Sequence, residues 1–99
     1  MKFKVTEDEN ISTVFLNGEI DMDIADNVRE VIFPLIDSGK EVHLNMKDVQ
    51  YMDSSGISVL IESHQKANEL GKKVILKDIS KSVLKVIMMA KLEQILNLE

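Results

Sequence analysis

The chain opens with two strand-like segments that only four polar residues separate. Phe3 and Val5 alternate with lysines, and residues 11–16 are nearly all β-branched or apolar. Both patterns predict strands. Because a parallel pair needs a crossover of about a dozen residues or more, these two strands are expected to form an antiparallel hairpin. This opening argues against folds that alternate strand and helix from their first strand.

The next segment has the pattern of a long amphipathic helix. Apolar residues from 24 to 36 recur at helical spacing. Asp21 or Asp23 is the expected cap at its start, and Gly39 lies just beyond its end. Pro34 falls inside this pattern and is expected to kink the last turn without ending the helix.

The remaining chain continues to alternate between strand and helix. Residues 42–46 predict a third strand followed by a polar turn, and a second helix is expected from Ser55 to about Leu70. The apolar run at 74–76 predicts a buried strand, and Ser80 is the expected cap of a third helix. We therefore predict an α/β fold whose mixed sheet has four to five strands, opens with a β-hairpin and packs with about three helices.

Composition narrows the classes of function. Residues 1–99 are expected to form one domain, and the absence of cysteine excludes thiolate chemistry. A net charge of −5 with scattered basic residues argues against direct binding of nucleic acid. No apolar run approaches the ~20 residues of a membrane span. We expect a cytoplasmic monomer in which most of the six methionines are buried and in which His43 and His64 are ordinary surface or edge residues without a metal.

The most informative segment is Asp53-Ser54-Ser55-Gly56, which lies where a strand pattern ends and a helix pattern begins. Backbone N–H groups at a helix start lack intrahelical partners, and the helix dipole favours negative charge there. A phosphate on Ser54 or Ser55 would therefore meet donors aimed at it. The same residue types are also ordinary helix caps, each worth ~1 kcal/mol.

Three segments resemble one known family. Residues 51–60 (YMDSSGISVL) are similar to the signature segment of STAS domains, and more narrowly to that of bacterial anti-sigma factor antagonists. Residues 16–21 (LNGEID) resemble the family segment before its first helix, and residues 42–49 (VHLNMKDV) resemble a strand followed by a polar turn. The resemblance extends from about Phe3 to Leu98 and implies a mixed sheet of four or five strands packed with helices.

The resemblance implies a phosphorylation switch. Ser55 is the expected phosphorylation site, and Ser54 is the expected helix cap. Asp21, Asp53 and Gly56 join these serines in the expected partner-binding surface, whereas Asp23 is a weaker candidate. The implied partners are an anti-sigma factor that is also a serine kinase, and a phosphoserine phosphatase. The implied protein is a binding module rather than an enzyme and needs no cofactor or metal.

The chain departs from the family pattern near its end. The third helix of relatives usually ends with a small residue and a glycine, whereas this chain has Lys91 after Ala90. Because a left-handed lysine would cost ~1 kcal/mol, the helix is expected to run on toward Leu96. The C-terminal helix of the family is expected to be short or missing.

Three alternative functions remain open on the sequence. A STAS adaptor could act in a transport or stress-signalling complex without phosphorylation. A phosphotransfer receiver also has an acid pair after one strand and an aspartate ending another, but the opening hairpin disfavours it. Asp21 and Asp23 form a D-x-D pattern that phosphatases use, yet such enzymes need more chain and further charged residues.

Overall fold

The computed structural model describes residues 3–99. Its elements in chain order are β1 (Lys4–Glu7), β2 (Ile11–Ile20), α1 (Met22–Asp37), β3 (Glu41–Met52), α2 (Ser54–Glu69), β4 (Val74–Lys77), α3 (Lys81–Met89), a 3₁₀ turn (Leu92–Gln94) and β5 (Asn97–Leu98). The five strands form one sheet in the order β1-β2-β3-β4-β5. β1 and β2 are antiparallel and every other pair is parallel. The predicted α/β fold with a mixed sheet that opens with a hairpin and carries three helices is confirmed.

The carboxylate of Asp8 stabilises the hairpin turn. Asp8 Oδ1 accepts hydrogen bonds from the backbone N–H groups of Asn10 and Ile11, each at 2.7 Å. These two bonds hold the pKa of the Asp8 carboxyl below its ordinary value, and the bond from Asn10 has the larger effect. Since bonded N–H groups favour the charged form, this turn is most stable with Asp8 ionised.

The core lies between the sheet and the three helices. Alternate residues of the three central strands are buried: Val14, Leu16, Val42, Leu44, Met46, Val74 and Leu76. The helices α1 and α2 contact each other, and an ion pair joins them on the outside. Arg29 donates to both carboxylate oxygens of Glu62, at 3.1 and 2.8 Å, which raises the pKa of its guanidinium. Such part-exposed pairs contribute at most about 1 kcal/mol.

Two local expectations about α1 are resolved. Asp21, rather than Asp23, is the N-cap residue, and it has an extended backbone. The helix continues past Pro34 to Asp37, and the N–H of Ser38 donates to the carbonyl of Pro34. Proline removes one internal hydrogen bond, but the buried residues Ile32 and Ile36 on either side keep the last turn on the core.

The expectation of a polar turn after residue 46 is wrong. β3 runs without interruption from Glu41 to Met52, and its parallel pairing with β2 shifts register twice along the way. Lys47 and Asp48 are exposed, but Val49 and Met52 are buried. Because of the bulges, Lys47 and Asp48 can stay exposed within the strand while Val49 and Met52 still pack in the core.

The expectation that the third helix runs on toward Leu96 is also wrong. α3 ends at Met89, and Lys91 adopts a left-handed conformation with φ 58° and ψ 31°. Leu92 and Leu96 are buried beyond this turn, and Asn97 in β5 pairs with Ile75 in β4. Burying a leucine side chain stabilises by roughly 1.5–3 kcal/mol, which exceeds the ~1–2 kcal/mol of a left-handed residue.

Three further expectations need correction. The Ser80 hydroxyl makes no cap hydrogen bond and donates instead to the carbonyl of Val49 at 2.8 Å. His43 is buried rather than on the surface, with Nε2 2.6 Å from a carboxylate oxygen of Glu41. Most described methionines are exposed, since only Met46 and Met52 lie in the core and Met22, Met88 and Met89 do not; Met1 lies outside the described residues.

No helix within residues 3–99 is both long enough and apolar enough to cross a membrane.

Candidate functional site

Two strand-to-helix loops lie side by side at one edge of the sheet, which we call the loop edge (residues 21–23 and 53–56). Ile20 and Met52 are paired across β2 and β3 and are the last residues of those strands. Asp21 and Asp53 follow them directly. The N–H of Asp53 donates to the carbonyl of Ile20 at 3.4 Å. Because parallel strands end at the same edge of a sheet, the pairing brings both aspartates to one surface.

The two aspartates have the same local role. Asp21 Oδ1 accepts from the N–H groups of Asp23 and Ile24, at 3.0 and 3.3 Å. Asp53 Oδ1 accepts from the N–H groups of Ser55 and Gly56, at 2.8 and 3.1 Å. Each carboxylate thereby satisfies two donors that a helix start leaves without partners. Two negative charges are fixed by backbone hydrogen bonds at the starts of neighbouring helices.

The expectation that Ser54 caps the second helix is wrong. Asp53 is the N-cap residue, with an extended backbone at φ −95° and ψ −170°, and Ser54 is the first residue of α2. A charged acceptor forms stronger hydrogen bonds to N–H groups than a hydroxyl does. The aspartate one position earlier therefore takes the cap, which leaves both serine hydroxyls free of that task.

Ser54 is exposed and Ser55 is partly buried. Within residues 3–99, no protein group accepts a hydrogen bond from either hydroxyl; the carbonyl of Ser54 does accept one from Ser58 Oγ at 2.9 Å. Both hydroxyls are thus available for chemistry.

The surroundings of Ser55 differ from the sequence-based expectation in one respect. The N–H groups of Ser55 and Gly56 already donate to the Asp53 carboxylate, and that of Ile57 donates to the Asp53 carbonyl. A phosphate on Ser55 would therefore not find these three donors unoccupied. It would instead lie beside a carboxylate that is held in place, so an added negative charge is repelled more than the helix start alone implies.

Gly56 has a packing role at the loop edge. It is buried, and a Cβ built on it would lie 2.6 Å from the carbonyl oxygen of Ile20 and 2.9 Å from Cγ of Met52. Only glycine fits this approach of α2 to the ends of β2 and β3 without a shift of the surroundings. Direct contact of Gly56 with a partner stays a prediction.

Two exposed apolar side chains, Met22 within the loop edge and Tyr51 beside it, were missed by the sequence reasoning. Met22 is 74% exposed directly after Asp21, and Tyr51 is 48% exposed two residues before Asp53. Large apolar residues at a polar edge are typical of the centre of a docking surface. The available signal was their position beside both acidic caps.

Metal chemistry finds no support at this edge. Among residues 3–99, no group of three or more histidine, cysteine or acidic side chains is placed to hold a metal ion. Asp21 is committed to its helix cap, and Asp23 is exposed with no side-chain hydrogen bond to it within the described range. The D-x-D pattern thus lacks the further ligands that a phosphatase site needs.

Comparisons with known proteins agree with this architecture. The STAS domain family model matches residues 2–99. The anti-sigma-B factor antagonist of Bacillus subtilis (strain 168) is 30% identical over 94 residues, which cover 95% of this chain and 86% of the relative.

Solved structures share the fold. An anti-sigma factor antagonist from Mycobacterium paratuberculosis has a TM-score of 0.83 at 21% identity, covering 98% of this chain and 83% of that one. SpoIIAA, an anti-sigma factor antagonist solved in an unphosphorylated and a phosphorylated form, has a TM-score of 0.76 in both, at 20% and 21% identity. The alignments cover 99% of this chain, and 87% and 91% of those chains. By the family match over residues 2–99 and the identity to the Bacillus subtilis relative, this chain belongs to the STAS-domain family of anti-sigma factor antagonists.

Proposed function

We propose that this chain is an anti-sigma factor antagonist that works as a binding module and not as an enzyme. Its unphosphorylated form docks on an anti-sigma factor, which is also a serine kinase, and so frees a sigma factor. Phosphorylation of Ser55 ends the binding, and a phosphoserine phosphatase restores it. The name of the Bacillus subtilis relative and the two forms of SpoIIAA support this proposal.

The observation that carries the proposal is the position of Ser55 next to the fixed carboxylate of Asp53, on a partly apolar edge that also holds Asp21. Backbone hydrogen bonds fix the positions of the Asp21 and Asp53 carboxylates. Met22 and Tyr51 supply exposed apolar area next to them. A partner that covers this edge has to accommodate two negative charges, and a third group of charge about −1.5 to −2 changes that balance sharply.

The size of the effect is sufficient for a switch. An unpaired charge buried in an interface costs several kcal/mol. A complex with micromolar affinity has a favourable binding free energy of about 8 kcal/mol, and every 1.4 kcal/mol changes the affinity about tenfold. Phosphorylation therefore reduces binding by orders of magnitude, whereas loss of the Ser55 hydroxyl alone leaves no charge to desolvate.

The modification itself is a phosphoryl transfer. Ser55 Oγ attacks the γ-phosphorus of ATP, the bond from that phosphorus to the bridging oxygen breaks, and ADP leaves. A base on the kinase takes the hydroxyl proton. In the reverse direction the phosphatase uses water to cleave the bond between phosphorus and Oγ, which returns the serine and releases inorganic phosphate.

Mass spectrometry tests the site. The chain is incubated with ATP and its cognate serine kinase, and the modified peptide is mapped. We expect one phosphate on Ser55 in the wild type and in Ser54→Ala, and none in Ser55→Ala. Phosphate on Ser54 alone, or on no serine, contradicts the assignment.

Calorimetric titration of the same kinase tests the switch. We expect Ser55→Asp to bind about 100-fold more weakly than Ser55→Ala, which corresponds to roughly 3 kcal/mol. Asn68→Asp is the matched control, because it adds the same charge to an exposed site near the other end of α2. Equal affinities of the two Ser55 variants contradict a switch at this residue. Tight binding without any phosphorylation fits the adaptor function instead.

A further inference from the structure

The third helix is apolar on its outer side as well as on its inner side. Val83 and Ile87 are fully buried. The outer side, which we call the α3 face, forms a shallow groove of about 460 Å³ lined by Lys81, Leu84, Lys85, Met88 and Met89. Met88 is 54% exposed and Met89 is 75% exposed. A surface helix normally turns polar residues outward, so an apolar outer stripe indicates a surface that another molecule covers.

The charge of the α3 face is opposite to that of the chain. The chain carries a net charge of −5, yet α3 contains Lys81 and Lys85 and no acidic residue. Neither lysine has an ion-pair partner among residues 3–99, so both charges are available to a partner. Charge complementarity therefore selects an occupant that is acidic and apolar.

Two other occupants fit less well. A second copy of this chain that used the α3 face symmetrically would bring Lys81 and Lys85 near their own counterparts, and like charges in an interface are unfavourable. A membrane surface that attracts lysines is anionic and repels a domain of net charge −5. The groove also has no aromatic residue of the kind that anchors interfacial helices. An acidic segment of a protein satisfies both the lysines and the apolar stripe.

Two hydrogen bonds hold the start of α3 against β3, a few residues before the loop edge. Ser80 Oγ donates to the carbonyl of Val49 at 2.8 Å, and Ser82 Oγ donates to the carbonyl of Gln50 at 3.0 Å. These bonds fix the first turn of α3 beside the last residues of β3, which lead directly into Asp53. One partner that covers the loop edge can therefore continue onto the α3 face.

We propose that the α3 face is a second part of the docking surface and binds an acidic, apolar segment of the anti-sigma factor. This inference rests on the proposed function. The two regions then have different roles. The loop edge responds to phosphorylation, and the α3 face adds affinity and selects partners by the charge of the segment that binds it. Its affinity contribution falls as salt rises, because Lys81 and Lys85 are exposed.

The test is calorimetric titration of the kinase with the full chain and its variants. We expect the double variant Lys81→Glu/Lys85→Glu to bind at least about tenfold more weakly, and Met88→Ser to bind severalfold more weakly. The control is Lys72→Glu/Lys73→Glu, which reverses two exposed charges near the ends of the parallel strands opposite the loop edge and is expected to bind within about threefold of the wild type. Thermal melting verifies that all variants are folded.

The outcomes separate the two proposals. If Ser55→Asp abolishes binding while both α3 variants bind like the wild type, the inference about the α3 face is overturned and the proposed function stands. If the wild type does not bind the kinase, the proposed function fails and this inference fails with it. A wild-type dimer in sedimentation that Lys81→Glu/Lys85→Glu alters, or flotation of the wild type with phosphatidylglycerol vesicles, would also overturn the assignment of the α3 face to the anti-sigma factor.

Discussion

Gly56 lies directly against the carbonyl oxygen of Ile20, where a Cβ atom would come within 2.6 Å of that oxygen. This approach joins the first turn of α2 to the end of β2. The N–H of Asp53 reaches the same carbonyl. The loop edge is therefore built on close backbone contacts between two neighbouring strands, and a partner meets a surface that is already ordered before binding.

Gly56→Ala is expected to destabilise the fold. In an unconstrained helix, replacing glycine by alanine stabilises by about 0.5–1 kcal/mol. Here the added carbon forces the Ile20 backbone or the Met52 side chain to move, and such overpacking costs about 1–3 kcal/mol. In thermal melting, the melting temperature should fall by roughly 4–8 °C for each kcal/mol of stability lost. Ser54→Ala, in the same turn but exposed, is the control; a rise in the melting temperature of Gly56→Ala would contradict the packing role.

Comparison of Asp53→Ala with Asp53→Asn distinguishes two contributions to stability: the capping hydrogen bonds at the start of α2, and the negative charge of the Asp53 carboxylate. Loss of the side-chain acceptor should cost about 1 kcal/mol in Asp53→Ala, whereas asparagine keeps most of the capping bond. Denaturant unfolding of both variants measures the difference. Asp23→Ala removes an exposed carboxylate that caps nothing and should cost less than Asp53→Ala. Equal losses for Asp53→Ala and Asp23→Ala would contradict the assignment of Asp53 as N-cap.

Lys91→Gly is expected to stabilise the chain by about 0.5–1 kcal/mol. Lys91 has φ 58°, a conformation that glycine adopts without a steric penalty and other residues do not. Lys85→Gly is the opposite control, because glycine in a helix interior costs about 1 kcal/mol. Thermal melting should move in opposite directions for the two variants, and a loss of stability in Lys91→Gly would show that the lysine side chain contributes more than its backbone costs.

The sequence predicted those parts of the fold that depend on local periodicity. The four-residue gap before Ile11 required a hairpin, and the alternation that follows required parallel pairing, which in turn brings Asp21 and Asp53 to one edge. Sequence-based prediction failed where the local conformational preference of a residue competes with burial of apolar side chains nearby. The left-handed Lys91 and the uninterrupted passage of β3 through Lys47 and Asp48 are each locally unfavourable, and the apolar residues beyond them decide the outcome.

The site was predicted less completely for a related reason. Ser54 and Asp53 are both good caps, and sequence alone does not say which backbone is extended. The exposure of Met22 and Tyr51 depends on which side of the sheet edge remains uncovered, and periodicity reports only that a residue is apolar. The α3 face was missed for the same reason, since apolar residues on two sides of a short helix are usually assigned to the core.

Asp8 should make the stability of the hairpin turn dependent on pH. Its pKa in the folded chain is lowered, so its contribution is present above the pKa of the unfolded chain, about 4, and is lost as pH falls through the folded value. Urea unfolding of wild type and Asp8→Asn should show a difference near pH 7 that shrinks below about pH 4. Glu9→Gln, which removes a carboxylate with no backbone hydrogen bond among residues 3–99, is the control. A difference that grows on acidification would contradict the role of Asp8.

Ser55→Asp should leave the stability of the fold nearly unchanged. A negative group at a helix start gains up to about 1 kcal/mol from the dipole, but the Asp53 carboxylate already binds the N–H groups of Ser55 and Gly56 and repels the new charge. These opposing effects are of similar size. Since 1 kcal/mol corresponds to about 4–8 °C for a domain of this length, the melting temperature should move by less than that.

Ser63→Asp provides the matched comparison for Ser55→Asp in the same helix. Ser63 is fully buried and its hydroxyl donates to the carbonyl of Val59 at 2.7 Å, so a carboxylate there has to be desolvated without a cation. We expect Ser63→Asp to lower the melting temperature strongly or to prevent folding. If Ser55→Asp caused a similar loss, Ser55 would be a structural residue of a packed turn. A phosphate on it would then act by unfolding the chain and not by blocking a partner.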